Sequence, residues 1–308
     1  MKGEAATPLS LDISNRDAFY RAVLGDLNAL NIPYLVGGGH ALELYSALGR
    51  NTKDLDLFVR PADVKLILAE FVAAGYKTEL SFPHWLGKIF CAQHFIDVIF
   101  SSGNGVCAVD NGWFEHSVAG EFLDLSVRFC PPEEMIWAKS FVMERERYDG
   151  ADVVHLLRAC AARIDWRRLL ARFGPHWRVL FGHLILFGYI YPSDRSLVPS
   201  WLMAELLDRL GAESVEPASA SRICRGTLLS RNQYRGDVEM WGYIDARHLP
   251  HGSMTAEDAK NWTAEAQNTT DHQIRSIRTE SLVKFLQISS APCTNVLSFH
   301  GFSHLNLV

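Results

Sequence analysis

Three aspartates stand where two short strands are expected. Asp54 and Asp56 alternate with leucines in Asp54-Leu55-Asp56-Leu57-Phe58-Val59, and Asp97 is alone in the apolar run Phe95-Ile96-Asp97-Val98-Ile99-Phe100. A strand puts residues i and i+2 on one face, about 7 Å apart. Asp54 and Asp56 therefore face the same way, and Leu55 and Leu57 face the core. The lone Asp97 carboxylate needs an edge, a partner or a metal. Three carboxylates gathered on a sheet face suit a hard divalent cation such as Mg²⁺ or Mn²⁺. Metal pairs about 3.5–4 Å apart serve phosphoryl and nucleotidyl transfer. Upstream lies Val36-Gly37-Gly38-Gly39, whose backbone N–H groups can approach phosphate closely.

The elements around these residues are legible from periodicity. Phe19, Val23, Leu27 and Leu30 predict an amphipathic helix over 15–30, capped by Asn15 or Ser14. Asn31-Ile32-Pro33 ends it and opens a strand at Tyr34–Val36. A helix is expected over Ala41–Leu48 with Gly49 as its stop, and another over Ala62–Ala74. Strands are expected near Tyr76–Leu80, at Lys88–Cys91, at His94–Phe100 and at Leu125–Phe129. After Pro131-Pro132 the pattern turns helical, with helices expected at Glu133–Arg147, Ala151–Ala161 and Asp165–Phe173. The apolar stretch Val179–Tyr191 is too short to span a membrane and reads as a buried helix. Ala212–Ala220 reads as a linker. The expected fold class is α+β, a small mixed β-sheet with flanking helices followed by a helical domain. The expected domains are a catalytic domain (1–130), a helical domain (131–212) and a C-terminal extension (213–308).

The segment Tyr34-Leu35-Val36-Gly37-Gly38-Gly39-His40-Ala41-Leu42, followed by Gly49-Arg50-Asn51-Thr52-Lys53-Asp54-Leu55-Asp56-Leu57, resembles the nucleotidyltransferase superfamily of DNA polymerase β. More narrowly it is similar to the minimal bacterial nucleotidyltransferases, including the AbiE-type toxin components. That family carries a glycine pair after a strand, then Arg-x-Ser/Thr-x-Asp-x-Asp, then a third acid on another strand. Gly38 and Gly39 match the pair, with Gly37 as a shifted alternative. Arg50, Thr52, Asp54 and Asp56 match the second element and Asp97 the third. His40 departs, standing where the superfamily often has a small or hydroxyl residue. The resemblance implies a nucleotidyltransferase fold and metal-dependent transfer of a nucleoside monophosphate from an NTP, such as ATP, with release of pyrophosphate. It implies Asp54, Asp56 and Asp97 as catalytic and metal-binding residues. It also implies Gly37, Gly38, Gly39, Arg50, Thr52, Lys53 and Lys139 as nucleotide-binding residues, with Arg147 and Asp149 bracing the site. The acceptor hydroxyl is left open among RNA or tRNA, protein and a small molecule. The alternative is a catalytically inactive nucleotide-binding or regulatory protein on the same fold.

The rest of the sequence excludes more than it assigns. Formal net charge is −5, with 13 Lys and Arg against 20 Asp and Glu in residues 1–150 and 17 against 15 in 151–308. That is not the signature of a general nucleic-acid binder. The six cysteines form no C-x-x-C pair, which argues against a zinc ribbon and for reduced thiols in a cytoplasmic protein. Arg158, Arg163, Arg167, Arg168 and Arg172 read as a solvent-facing basic series, or less favourably as an RNA-binding one. The stretch from Arg225 to Arg247 reads as a structured extension packed on the helices.

Overall fold

A computed structural model of the chain describes residues 15–49, 52 and 54–264. Ser14, Arg50, Asn51 and Lys53, named above, lie outside the described residues, as does the last of the six cysteines. The chain opens with α1 (Arg16–Ala29), β1 (Leu35–Val36), α2 (Gly38–Ser46), β2 (Leu55–Phe58), α3 (Val64–Ala73), β3 (Lys77–Phe82), β4 (Leu86–Cys91) and β5 (His94–Ile99). It continues through α4 (Asn111–Glu115), β6 (Val118–Phe122) and β7 (Leu125–Phe129). The helices α5 (Pro132–Ser140), α6 (Gly150–Cys160), α7 (Trp166–Phe173), α8 (Trp177–Ile190) and α9 (Ser200–Val215) follow. A last stretch holds β8 (Ile223–Cys224), α10 (Arg235–Glu239) and β9 (Ile244–Asp245). The class is α+β. No helix among the described residues is long and apolar enough to cross a membrane.

Seven strands form one mixed sheet in the order β3-β4-β5-β2-β1-β7-β6. β2 runs parallel to β5, with Asp56 opposite Asp97, and antiparallel to β1. β4 and β5 form a hairpin in which Lys88 is opposite Asp97. Ala92, at the turn, has φ 51°. The central strands are apolar on their core face: Leu55, Leu57, Ile96 and Val98 are buried. α1 packs on β5 and β7, α3 on β3 and β4, and α2 bridges β2 to α6. In α1 the buried residues Phe19, Tyr20, Val23, Leu24 and Leu27 recur every three or four positions. Asn15 caps that helix by accepting a bond from the Asp17 N–H at 2.9 Å.

Four sequence expectations are corrected. α2 begins at Gly38 rather than Ala41, so the glycines are its first turn, and it stops at Ala47, which adopts φ 54°. α5 ends at Ser140, not Arg147. Residues 143–148 instead form a tight turn closed by a Met143–Tyr148 bridge. There Glu144 leaves the helical pattern to accept bonds from the Ser230 hydroxyl (2.5 Å) and the Arg231 N–H (3.0 Å). α8 is buried on one side only: Leu180, Leu184 and Phe187 are covered, while Ile185, Tyr189 and Ile190 are exposed. The linker expected from Ala212 is helical through Val215. Two elements, α4 and β6, have no counterpart in the sequence expectations because each is short and without period.

Candidate active site: three carboxylates beside a glycine turn

The three aspartates meet because of strand register. β2 and β5 are parallel neighbours with Asp56 and Asp97 paired, and Asp54 precedes Asp56 by two residues. One carboxylate oxygen from each of Asp54, Asp56 and Asp97 lies within 4.8 Å of the others. The donor set is all oxygen, which fits Mg²⁺ or Mn²⁺ and not a soft ion. Burial, then the charges of Asp54 and Asp97, push the Asp56 carboxyl up to about 7, and Lys139 and Arg147 offset only part of this. Burial also raises Asp97, against the opposing hydrogen bond from Lys88. The charged form of these acids is thus disfavoured in the protein alone, and a cation among them would favour it.

The glycine turn is fitted to the acids. Gly38 has φ +55°, and a Cβ there would stand 1.6 Å from the Asp56 carboxylate oxygen Oδ2. A Cβ on Gly39 would stand 2.3 Å from the Thr52 hydroxyl. The Gly37 N–H donates to the Asp56 carbonyl at 2.9 Å, tying the turn to β2. The N-terminus of α2 thus opens beside the carboxylates, where backbone N–H groups are disposed to meet an anion. The His40 ring lies 4.6 Å from Phe122, and its Nε2 is buried without a hydrogen-bond partner among the described residues. Burial holds His40 below the usual histidine range, so it is neutral near pH 7.

Lys139 and Arg147 reach the same site but are already engaged. The Lys139 ammonium donates to Asp149 (3.1 Å) and Asp152 (2.8 Å), and the Arg147 guanidinium grips Asp149 through two bonds of 2.9 Å. The hydrogen bond to Asp149 raises Arg147, and the Asp56 charge adds to it. For Asp149 burial works upward, but Arg147 and Lys139 prevail and hold it below the usual carboxylate range. Arg147 sits in the turn after α5 rather than on the helix.

Lys88 was missed by the sequence reading. Its ammonium lies 2.5 Å from the Asp97 oxygen Oδ1 and 4.2 Å from the centre of the Phe95 ring. A lysine in a strand reads as a solvent-facing residue until the hairpin register is known. The basic series is likewise corrected. Arg168 bonds Glu133 (2.6 Å) and Glu134, and Arg172 bonds Glu134 (2.9 Å) and Asp110 (2.5 Å). These two arginines tie α7 to α5 and the α4 loop and are not a solvent face. Arg158 does lie at the surface, paired with Asp194 at 2.7 Å.

No family model matches the chain, and no curated protein matches it. Among solved structures, the antibiotic-resistance factor ANT(2'')-Ia is similar over 56% of this chain and 98% of its own, at 18% identity and a TM-score of 0.37. The lincosamide antibiotic adenylyltransferase LnuA, bound to lincomycin, is similar over 46% of this chain and 96% of its own, at 14% identity and a TM-score of 0.33. An antigenic nucleotidyltransferase-like protein from Paracoccidioides brasiliensis is similar over 60% of this chain and 92% of its own, at 16% identity and a TM-score of 0.40. Likeness at this level assigns no activity to the chain.

Proposed function

We propose that the protein is a divalent-metal-dependent nucleotidyltransferase that moves a nucleoside monophosphate from an NTP to an acceptor hydroxyl. The observation that carries this reading is the convergence of Asp54, Asp56 and Asp97 within 4.8 Å of one another beside a turn where Asp56 leaves room only for glycine. Asp54, Asp56 and Asp97 would hold Mg²⁺ or Mn²⁺. When bound, such an ion neutralises phosphate charge and lowers the pKa of a coordinated hydroxyl. The N–H groups at the start of α2 receive the phosphates, and Thr52 closes that side against Gly39. Lys139 and Arg147, braced by Asp149 and Asp152, set the charge behind Asp56. The acceptor oxygen bonds to the α-phosphorus as the bond from that phosphorus to the bridging oxygen breaks. Pyrophosphate leaves, and the hydroxyl proton passes to the acid cluster. The acceptor class is RNA, protein or a small molecule. The toxin-type reading is the case in which it is tRNA.

The test uses NTPs labelled at the α- or the γ-phosphorus, incubated with Mg²⁺ and pools of cellular RNA, protein and small hydroxyl compounds. Nucleotidyl transfer puts the α-label on an acceptor and the γ-label in pyrophosphate. Transfer of the γ-label to an acceptor would refute the proposal in favour of a kinase. Binding of NTP with no transfer of either label would favour a regulatory protein.

A further inference from the structure

Lys88, Asp97 and Asp56 lie in one row across three adjacent strands, because Lys88 is the register partner of Asp97 and Asp97 of Asp56. Side chains at paired positions share a face. The row is therefore built into the sheet and depends on no loop. The lysine ammonium sits 2.5 Å from Asp97 Oδ1, with both side chains largely covered. The Phe95 ring, 4.2 Å away, adds an attraction that a lysine keeps only while it stays over the ring face.

We propose that Lys88 is a resident cation of this site. It holds one oxygen of Asp97, so that the site takes a single divalent ion on Asp54, Asp56 and the remaining Asp97 oxygen where a two-ion site would place a second. This rests on the nucleotidyltransferase reading above. The ligand count supports it. With the Lys88 ammonium on Asp97 Oδ1, a second ion loses that oxygen as a ligand. Among the described residues the other basic groups near Asp56 are held by acids of their own, Lys139 by Asp149 and Asp152 and Arg147 by Asp149. A second divalent ion would also stand within a few ångströms of that fixed ammonium, and like charges so close repel in a partly buried site. Lys88 is thus a positioning residue. It fixes Asp97 and sets the ion count.

The experiment is electron paramagnetic resonance of Mn²⁺ with the full chain and a non-hydrolysable NTP analogue, at equal protein and nucleotide concentrations. Two Mn²⁺ ions about 3.5–4 Å apart, the usual spacing of paired catalytic metals, give an exchange-coupled spectrum. A single ion does not. The wild type is expected to bind one uncoupled Mn²⁺ per chain. Lys88→Met keeps the length and apolar stem of the side chain and is expected to bind a coupled pair. Lys88→Arg, which keeps the charge, is expected to retain the single ion, and it carries the test if the methionine variant fails to fold. A coupled pair in the wild type, or in Lys88→Arg, overturns the proposal and leaves nucleotidyl transfer standing. A single ion in a folded Lys88→Met also overturns it. No bound Mn²⁺ in any form defeats both readings.

Discussion

Two acidic clusters lie in this molecule, and they are balanced differently. Where α5 meets α7, Glu133, Glu134 and Asp110 each bond directly to Arg168 or Arg172. Burial pushes Glu134 up, and the two guanidinium groups work against that. Glu133 also accepts the Asp165 N–H at 2.8 Å, which ties α5 to the start of α7. At the junction of β2 and β5, three aspartates share one paired lysine, and among the described residues neither Asp54 nor Asp56 is ion-paired with a basic side chain. The first cluster completes itself with protein cations and fastens helices together. The second leaves Asp54 and Asp56 without a paired protein cation among the described residues, next to the glycine turn. Internal neutralisation separates a structural charge cluster from one suited to a ligand, and a count of acids alone does not.

Substitutions should part the two clusters. Asp56→Asn is expected to lower α-label transfer about 100- to 1,000-fold, the scale of losing a group that stabilises developing charge, while the metal-free protein melts no lower than wild type. Arg168→Ala should do the opposite. It leaves buried Glu133 without its cation and Glu134 with Arg172 alone, at a cost of about 3–5 kcal/mol, which thermal melting would register, while Mn²⁺ affinity per folded chain stays unchanged. Equal effects of both substitutions on metal binding would erase the distinction.

The pH dependence sharpens it further. Asp56 is held near 7 in the folded protein against 3.8 as its ordinary value. The folded state therefore keeps a proton that the unfolded chain has released. The resulting stability is fully present below about pH 4 and is lost as pH rises through about 7. The difference in melting temperature between Asp56→Asn and wild type, without metal, should grow from pH 5 to pH 8 by about 5 °C or more. Saturating Mg²⁺ should shrink it. A difference that does not change with pH would mean that Asp56 is already charge-compensated. The smallest effect is expected at the surface, where Arg158→Ala removes an exposed pair with Asp194 and should leave the melting temperature essentially unchanged.

The strands of the candidate site were readable because alternation in Asp54–Leu57 and the apolar run around Asp97 obey the two-residue period. Their parallel pairing was not, since register between partners 41 residues apart is set by the α3 crossover and the β4–β5 hairpin. Lys88 illustrates the cost. Only the pairing opposite Asp97 makes it part of the site. The turn at 143–148 hid for a different reason: Glu144, Arg145, Glu146 and Arg147 are acceptable helix formers, and tertiary bonds from Ser230 and Arg231 to Glu144 override that propensity. Arg168 and Arg172 read as solvent-facing because their acidic partners lie more than 30 residues upstream. In α8, a nearly continuous apolar sequence concealed which side would be covered.

The most direct measurement is anomalous diffraction from a crystal of the protein grown with Mn²⁺ and a non-hydrolysable NTP analogue. A manganese peak within about 2.0–2.3 Å of carboxylate oxygens of Asp54 and Asp56, touching the nucleotide phosphates at the mouth of α2, is the expected result. Manganese bound elsewhere, or nucleotide seated away from the Gly37–Gly39 turn, would contradict the account.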